Sequence, residues 1–337
     1  MITVSKSVKV VQGCTPEKIP DEVYASAEPL ILKGLASSWP IVKAGLNSQA
    51  DAEKYLLQFY KGQEVTAFLG KPENNGRIFY DETLSGFNYD SVSTKLDFAL
   101  KQLALHANNP NAPSIYIGST SVDTYLPGFR AENDLNLQQH NPLISIWLSN
   151  KCRIAAHWDS PLNIACSVVG HRRFTLFPFE QMENLYIGPL DKTPAGQAIS
   201  LVDFYNPDFE KFPKFKEAIE YAQVADLEPG DAIFIPSMWW HHVESLDSLN
   251  VLVNYWFDGP PIFYGKGVNA LFHSVLSIRD LSPEQRKAWK QMFDYYVFDY
   301  QKENFQHIPE QAQGAIGELT DENARRIRAR LLNQLNK

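Results

Sequence analysis

Cysteine is scarce. Cys14, Cys152 and Cys166 are scattered, and no C-x-x-C pair occurs. That excludes a disulfide framework and a zinc ribbon, and it fits a cytoplasmic, reducing compartment. No apolar run approaches the ~20 residues that cross a bilayer. The opening Met1-Ile2-Thr3-Val4-Ser5-Lys6 lacks the apolar core of a secretory leader. Positive charge is in deficit, with 31 Lys and Arg against 39 Asp and Glu, a formal net charge of −8. A nucleic-acid binder is expected to be basic, so no nucleic-acid partner is expected. No G-x-S-x-G elbow occurs, which removes a serine hydrolase of that type. Internal repeats and low-complexity tails are also missing.

What is present is ample apolar material. The 337 residues are 44% hydrophobic and 12% aromatic, enough for a substantial core. Ser48 reads as the N-cap of a helix with Ala52, Tyr55, Leu56 and Phe59 on one face. A second helix is predicted over 91–107. Strands are predicted at 29–34, 64–69, 76–80, 114–118, 143–148, 163–168, 172–177, 232–235 and 249–257. Gly170-His171 is placed for a hairpin turn. Many short strands separated by turns favour an antiparallel sandwich or barrel. After about residue 265 the pattern becomes helical. Ser282-Pro283-Glu284-Gln285 is a capping box with Pro at the first helical position. Trp289, Phe293, Tyr296 and Tyr300 form an apolar stripe, and Ile327, Leu331 and Leu335 form another. Such helices pack either on their own barrel or on a second subunit, and the pattern leaves both open.

The stretch with the most chemistry is Ala156-His157-Trp158-Asp159-Ser160. Read as a strand, it projects His157 and Asp159 from one face and Trp158 from the other. One imidazole and one carboxylate are two thirds of a facial metal site. Ser237-Met238-Trp239-Trp240-His241-His242-Val243-Glu244 offers the third ligand. His241 and His242 point to opposite faces, so one of them at most is a ligand. Two histidines and one carboxylate leave coordination positions open and are diagnostic for non-haem iron(II) oxygenases, whereas zinc is more often held tetrahedrally by His or Cys. The bland alternatives are a structural His–Asp pair and two rim histidines. His106, His140, His171, His273 and His307 show no ligand spacing.

Six segments carry a resemblance. They are His157 to Asn163, Gly170 to Pro178, Val202 to Asp208, Gly230 to Pro236, Trp239 to Leu246 and Val253 to Trp256. In order and spacing the chain resembles the JmjC-type, cupin-like (cupin 8) iron(II)/2-oxoglutarate oxygenases. Within them it is most similar to the asparaginyl hydroxylases of the hypoxia-inducible-factor type and their bacterial relatives. The resemblance covers about residues 110–265 well and the N-terminal part more loosely.

It implies a mainly β fold, a double-stranded β-helix or jelly roll at 111–265. N-terminal α/β elements at 1–110 would pack on it, and a C-terminal helical segment at 266–337 would form a homodimer. It implies iron(II) on His157, Asp159 and His241, with 2-oxoglutarate as cosubstrate. Asn163 and Asn254 would lie beside the cosubstrate, Trp256 near the iron, and Tyr116 against the far carboxylate. The cation for that carboxylate is a lysine in the relatives, and here the position is Arg172. An arginine can pair with a carboxylate through two N–H groups; the alternative for Arg172 is a structural salt bridge. The implied reaction is hydroxylation of a protein or peptide side chain, with release of succinate and carbon dioxide. The rivals are a metal-dependent cupin acting on a small molecule without 2-oxoglutarate, and a non-catalytic binding module.

Overall fold

The computed structural model describes residues 2–259, 261 and 263–335. The chain divides into two compact units, Met1–Gly259 and Pro260–Lys337. The strands among the described residues fall within the first: β1 (Lys6–Ser7), β2 (Lys9–Val11), β3 (Leu30–Leu32), β4 (Glu64–Gly70), β5 (Arg77–Ile78), β6 (Tyr89–Lys95), β7 (Ser114–Ser121), β8 (Leu143–Ser149), β9 (Arg153–His157), β10 (Leu162–Val169), β11 (Arg172–Phe177), β12 (Gln223–Leu227), β13 (Ala232–Ile235), β14 (Trp240–Ser245) and β15 (Asn250–Phe257). They form two sheets, β1-β12-β11-β14-β9-β5 and β2-β3-β13-β10-β15-β8-β7-β4-β6. The fold is the expected jelly-roll core with helices around it.

Side-chain parity explains how the sheets stack. On β15, Val251, Val253, Tyr255 and Phe257 join a core shared with the N-terminal helices. The alternate residue Leu252 joins a second core with Ala165, Phe174, Leu176, Ile233, Ile235 and Val243, which come from both sheets. Period-two alternation thus gives the larger sheet a helix-covered face and an inner face toward the smaller sheet. The helix Gln49–Phe59 belongs to the covering layer. Its N-cap is Ser48, whose side chain accepts from the Asp51 N–H, and Ala52 and Leu56 are buried.

Three expectations change. Residues 89–95 are not helical; β6 pairs along its whole length with β4, from Glu64↔Lys95 to Gly70↔Tyr89, and the helix begins only at Leu96. Val92 and Thr94 are β-branched residues suited to a pleated edge strand, and pairing outweighs local helical spacing. Gly170-His171 does not close a hairpin either. β10 pairs with β13 and β15, whereas β11 pairs with β12 and β14. The turn instead carries the chain from one sheet to the other. Gly170 has φ +73, and a Cβ there would stand 2.6 Å from both the Asn250 side chain and the Leu249 carbonyl. Only glycine fits that crossing.

The third change is in the Pro260–Lys337 unit. The capping box forms as expected on the helix Pro283–Phe293, with Ser282 and Gln285 bonding reciprocally. Beyond Phe293 the backbone winds as a π-helix over Asp294–Phe298, so the expected stripe does not continue along one α-helix. Tyr296 and Tyr300 gather instead around Phe305, with ring centroids 5.7 and 5.3 Å away. A last helix spans Asp321–Leu335. No helix among the described residues is long and apolar enough to cross a membrane.

Candidate metal centre and its cavity

β9 and β14 are antiparallel neighbours, and His157 and His241 are directly opposed in their register. Cross-strand partners bring side chains together on one face, and the two imidazole centroids lie 4.3 Å apart. Between the pairs His241↔His157 and Val243↔Ile154, β9 holds one residue more than β14. This bulge lets Ile154 and His157 both line the interior although they are three residues apart. β9 ends at His157, so the expected strand through Ser160 stops short. Asp159 lies in the following turn, where its carbonyl accepts from the Met238 N–H at 2.8 Å. Asp159 nevertheless joins the histidines. One ligand atom from each of His157, Asp159 and His241 falls within 4.8 Å of the others, a spacing a single ion can bridge.

The second contacts of these residues prepare them for a cation. His157 Nδ1 lies 2.9 Å from the Ala155 carbonyl, and His241 Nδ1 lies 3.0 Å from the Trp239 carbonyl. A carbonyl only accepts, so each Nδ1 carries the proton and each Nε2 keeps its lone pair. Burial, and then the neighbouring His157, pull His241 down to about 4, against the opposing pull of Asp159. His241 is therefore neutral at physiological pH. Trp256 donates its indole Nε1–H to Asp159 Oδ2 at 3.0 Å, which holds the carboxylate.

His242 takes the other face of β14. Its ring stacks on Phe204 at 4.6 Å, and burial with Arg153 and Arg77 nearby depresses it to about 3. It is a neutral core residue, 3.7 Å from Glu244.

A cavity of about 300 Å³ lies beside the three residues. Tyr116, Asn163, Arg172, Asn254 and Trp256 all line it, together with His157, Asp159 and His241. The eight residues that the resemblance assigns to metal or cosubstrate thus line one cavity. Arg172 is the informative member. It is 4% exposed, yet its Nε and Nη2 have no hydrogen-bond partner among the described residues. Burial lowers it to about 10, so it stays cationic at neutral pH, and it forms no ion pair among the described residues. The structural salt bridge considered for it is not found among the described residues. A buried guanidinium without a partner is costly unless a ligand supplies the acceptor. Tyr116 is buried enough that its hydroxyl stays protonated far above its usual range, so it remains a donor. A carboxylate ligand fits these donors, and the His, Asp, His set fits a divalent iron with open positions.

Sequence reading missed Trp147, Ile154 and Ser119, which line the same cavity. Parity on β8 would have found Trp147, because Ile146 and Leu148 face the helices. A second chamber of about 350 Å³ shares Tyr116, Trp147 and His157 with the first and runs to the exposed Thr66 and Ser119. Its wall, which also includes Phe68, Ile78, Pro194 and Ile199, contains no Asp, Glu, Lys or Arg among the described residues.

The chain is similar to several known proteins. A family model described as a cupin-like domain matches residues 16–262. The mouse HSPB1-associated protein 1 is 26% identical over 280 residues, 76% of this chain and 53% of that protein. Lysine-specific demethylase JMJ31 of Arabidopsis thaliana is 32% identical over 262 residues, 68% of this chain and 46% of its own length. JmjC domain-containing protein D of Dictyostelium discoideum is 35% identical over 245 residues, covering 67% and 51%. The chain spans about half the length of the curated relatives it matches.

Proposed function

The chain belongs to the cupin-like domain family, whose relatives here include JmjC-domain proteins, and from that premise we propose that it is an iron(II)- and 2-oxoglutarate-dependent oxygenase that hydroxylates a protein or peptide side chain. The observation that carries the reading is Arg172, a buried cation with free N–H groups in the cavity beside the histidines and Asp159. His157, Asp159 and His241 are the proposed metal ligands. Iron bound there supplies dioxygen activation coupled to oxidative decarboxylation of 2-oxoglutarate to succinate and carbon dioxide.

The protein's own part is binding and orientation. Arg172 and Tyr116 hold the cosubstrate's far carboxylate, and Asn163 and Asn254 flank it. The Ala155 and Trp239 carbonyls fix the imidazole tautomers, and the Trp256 indole steadies the Asp159 carboxylate. The adjoining chamber receives the acceptor. One relative is named a lysine-specific demethylase, but a cationic group in a chamber without a counter-charge would be desolvated at a cost. The uncharged wall therefore supports a neutral acceptor side chain. The test is turnover: purified protein with iron(II), oxygen and 2-oxoglutarate releases succinate in step with 2-oxoglutarate consumed. Iron binding without that release would move the reading to a cupin that works without the cosubstrate.

We also propose a homodimer built on the Pro260–Lys337 unit. Within it only Phe305 and Ala324 are buried among the described residues. Leu276, Phe298 and Leu332 are 78%, 73% and 61% exposed. An apolar surface of that extent needs a cover, and a second copy is the cover the resemblance suggests. Light scattering is expected to return twice the chain mass. Leu276→Asp with Leu332→Asp is expected to weaken association at least about 30-fold, the effect of losing a hot spot. A monomeric mass for the unmodified protein would refute the dimer.

A further inference from the structure

Beside the candidate metal ligands the cavity wall carries a line of hydrogen bonds with a defined direction. Trp147 on β8 donates its indole Nε1–H to Asn254 Oδ1 on β15 at 2.7 Å. Asn254 in turn donates Nδ2–H to Asn163 Oδ1 on β10 at 3.3 Å. All three side chains line the cavity that holds Arg172. Asn163 and Asn254 are buried, so each amide end that meets the wrong partner would be a buried unsatisfied group.

A carboxamide has an accepting oxygen and a donating nitrogen, and either end can face a given neighbour. The indole removes that choice. It donates and has no lone pair to accept with. Asn254 must therefore turn its oxygen to Trp147 and its nitrogen to Asn163. Asn163 must answer with its oxygen, which leaves the Asn163 nitrogen without a partner among the described residues. One donor-only ring at the end of the line thereby fixes the polarity of two amides. Together with the Arg172 Nε and Nη2 groups, the cavity offers N–H donors where a carboxylate would lie.

We propose that Trp147 is a positioning residue for the cosubstrate, holding the Trp147–Asn254–Asn163 relay so that an amide donor, and not a carbonyl, meets the ligand's carboxylate. The ligand's identity rests on the proposed function; the direction of the relay does not.

The test is 2-oxoglutarate titrated into the anaerobic iron(II)-loaded protein and followed by visible absorbance, alongside steady-state kinetics. Trp147→Phe keeps a ring but removes the donor. It is expected to raise Kd and KM for 2-oxoglutarate about tenfold, the scale of one lost hydrogen bond, with kcat within about twofold and the melting temperature little changed. Asn254→Asp still accepts from the indole but offers Asn163 an acceptor, so Asn163 turns its oxygen to the ligand. Its Kd is expected to rise at least as much. The double variant is expected to bind no more weakly than Asn254→Asp alone, because both changes break one relay. Additive losses, or an unchanged Kd in Trp147→Phe, would overturn the proposal.

If the unmodified protein binds no 2-oxoglutarate, the proposed function fails and the relay is read without a ligand. In metal-free protein the Trp147 indole N–H resonance, assigned by its loss in Trp147→Phe, is expected to move and to exchange faster in Asn254→Ala. An indole signal indifferent to Asn254 would overturn the relay itself.

Discussion

Asp159→Ala is expected to abolish iron(II) binding and to lower turnover by more than about 100-fold, since loss of an outer contact to a metal ligand already costs 10–100-fold. The carboxylate is the only anionic group among the three candidate ligands, and it is held in place by the Trp256 indole. Without it only the two imidazoles remain, and a divalent cation meets no compensating carboxylate. The fold loses little, because the Asp159 side chain's hydrogen bond is to Trp256 and its backbone bond to Met238 remains. The melting temperature of the metal-free protein should therefore stay within a few degrees. Calorimetric titration with iron(II) or manganese(II) under anaerobic conditions reads the binding, and succinate release reads the turnover. Trp256→Phe should fall between, with the ligand present but less firmly held. Full metal affinity in Asp159→Ala would remove the site assignment, and a collapsed fold would show that Asp159 has a structural role instead.

Some of this was legible in the chain and some was not, for physical reasons. His157 and Asp159 are two residues apart, and proximity in sequence survives even though β9 ends between them. Strand parity allows only one of His241 and His242 at the site, the resemblance points to His241, and the structure separates the two: His241 toward Asp159, His242 against Phe204. Spacing does not reveal that the two histidines are cross-strand partners, because register between strands about eighty residues apart is set by the whole sheet. The bulge that turns Ile154 inward is invisible for the same reason. The Gly170 turn was recognised as a turn, but whether a turn closes a hairpin or crosses between sheets depends on which strands wait on either side. β6 was lost to helical spacing because its pairing with β4 is non-local. The orphaned guanidinium of Arg172 could not be read at all, since a missing partner is a property of the packed interior.

That guanidinium supports a prediction with two opposite signs. Arg172→Met is expected to make the protein more stable and at the same time to weaken 2-oxoglutarate binding by roughly 100-fold or more. Without ligand, the wild-type chain buries a cation whose Nε and Nη2 are unpaired among the described residues. Burial already lowers its pKa to about 10, against the opposing influence of Tyr116 and Cys152. A buried polar group left unsatisfied costs about 1–3 kcal/mol, more if charged. Methionine matches the aliphatic stem of arginine and carries no N–H group, and it packs adaptably against Phe174 and Val243, which share the cavity wall. A gain of about 1–3 kcal/mol is expected, read as a melting temperature higher by several degrees in ligand-free protein. With ligand, the sign reverses. Removing one partner of a buried charge pair costs about 3–5 kcal/mol, because the far carboxylate then lies in the cavity without its cation. Arg172→Lys keeps the charge on a shorter side chain, as a point charge without the planar fork, and should lose about tenfold in affinity. Differential scanning fluorimetry with and without 2-oxoglutarate, on metal-loaded anaerobic protein, reads both signs in one experiment. A destabilised Arg172→Met would mean that the guanidinium has a structural partner after all. A stabilised variant that still bound 2-oxoglutarate would leave the metal site standing and remove Arg172 from the cosubstrate.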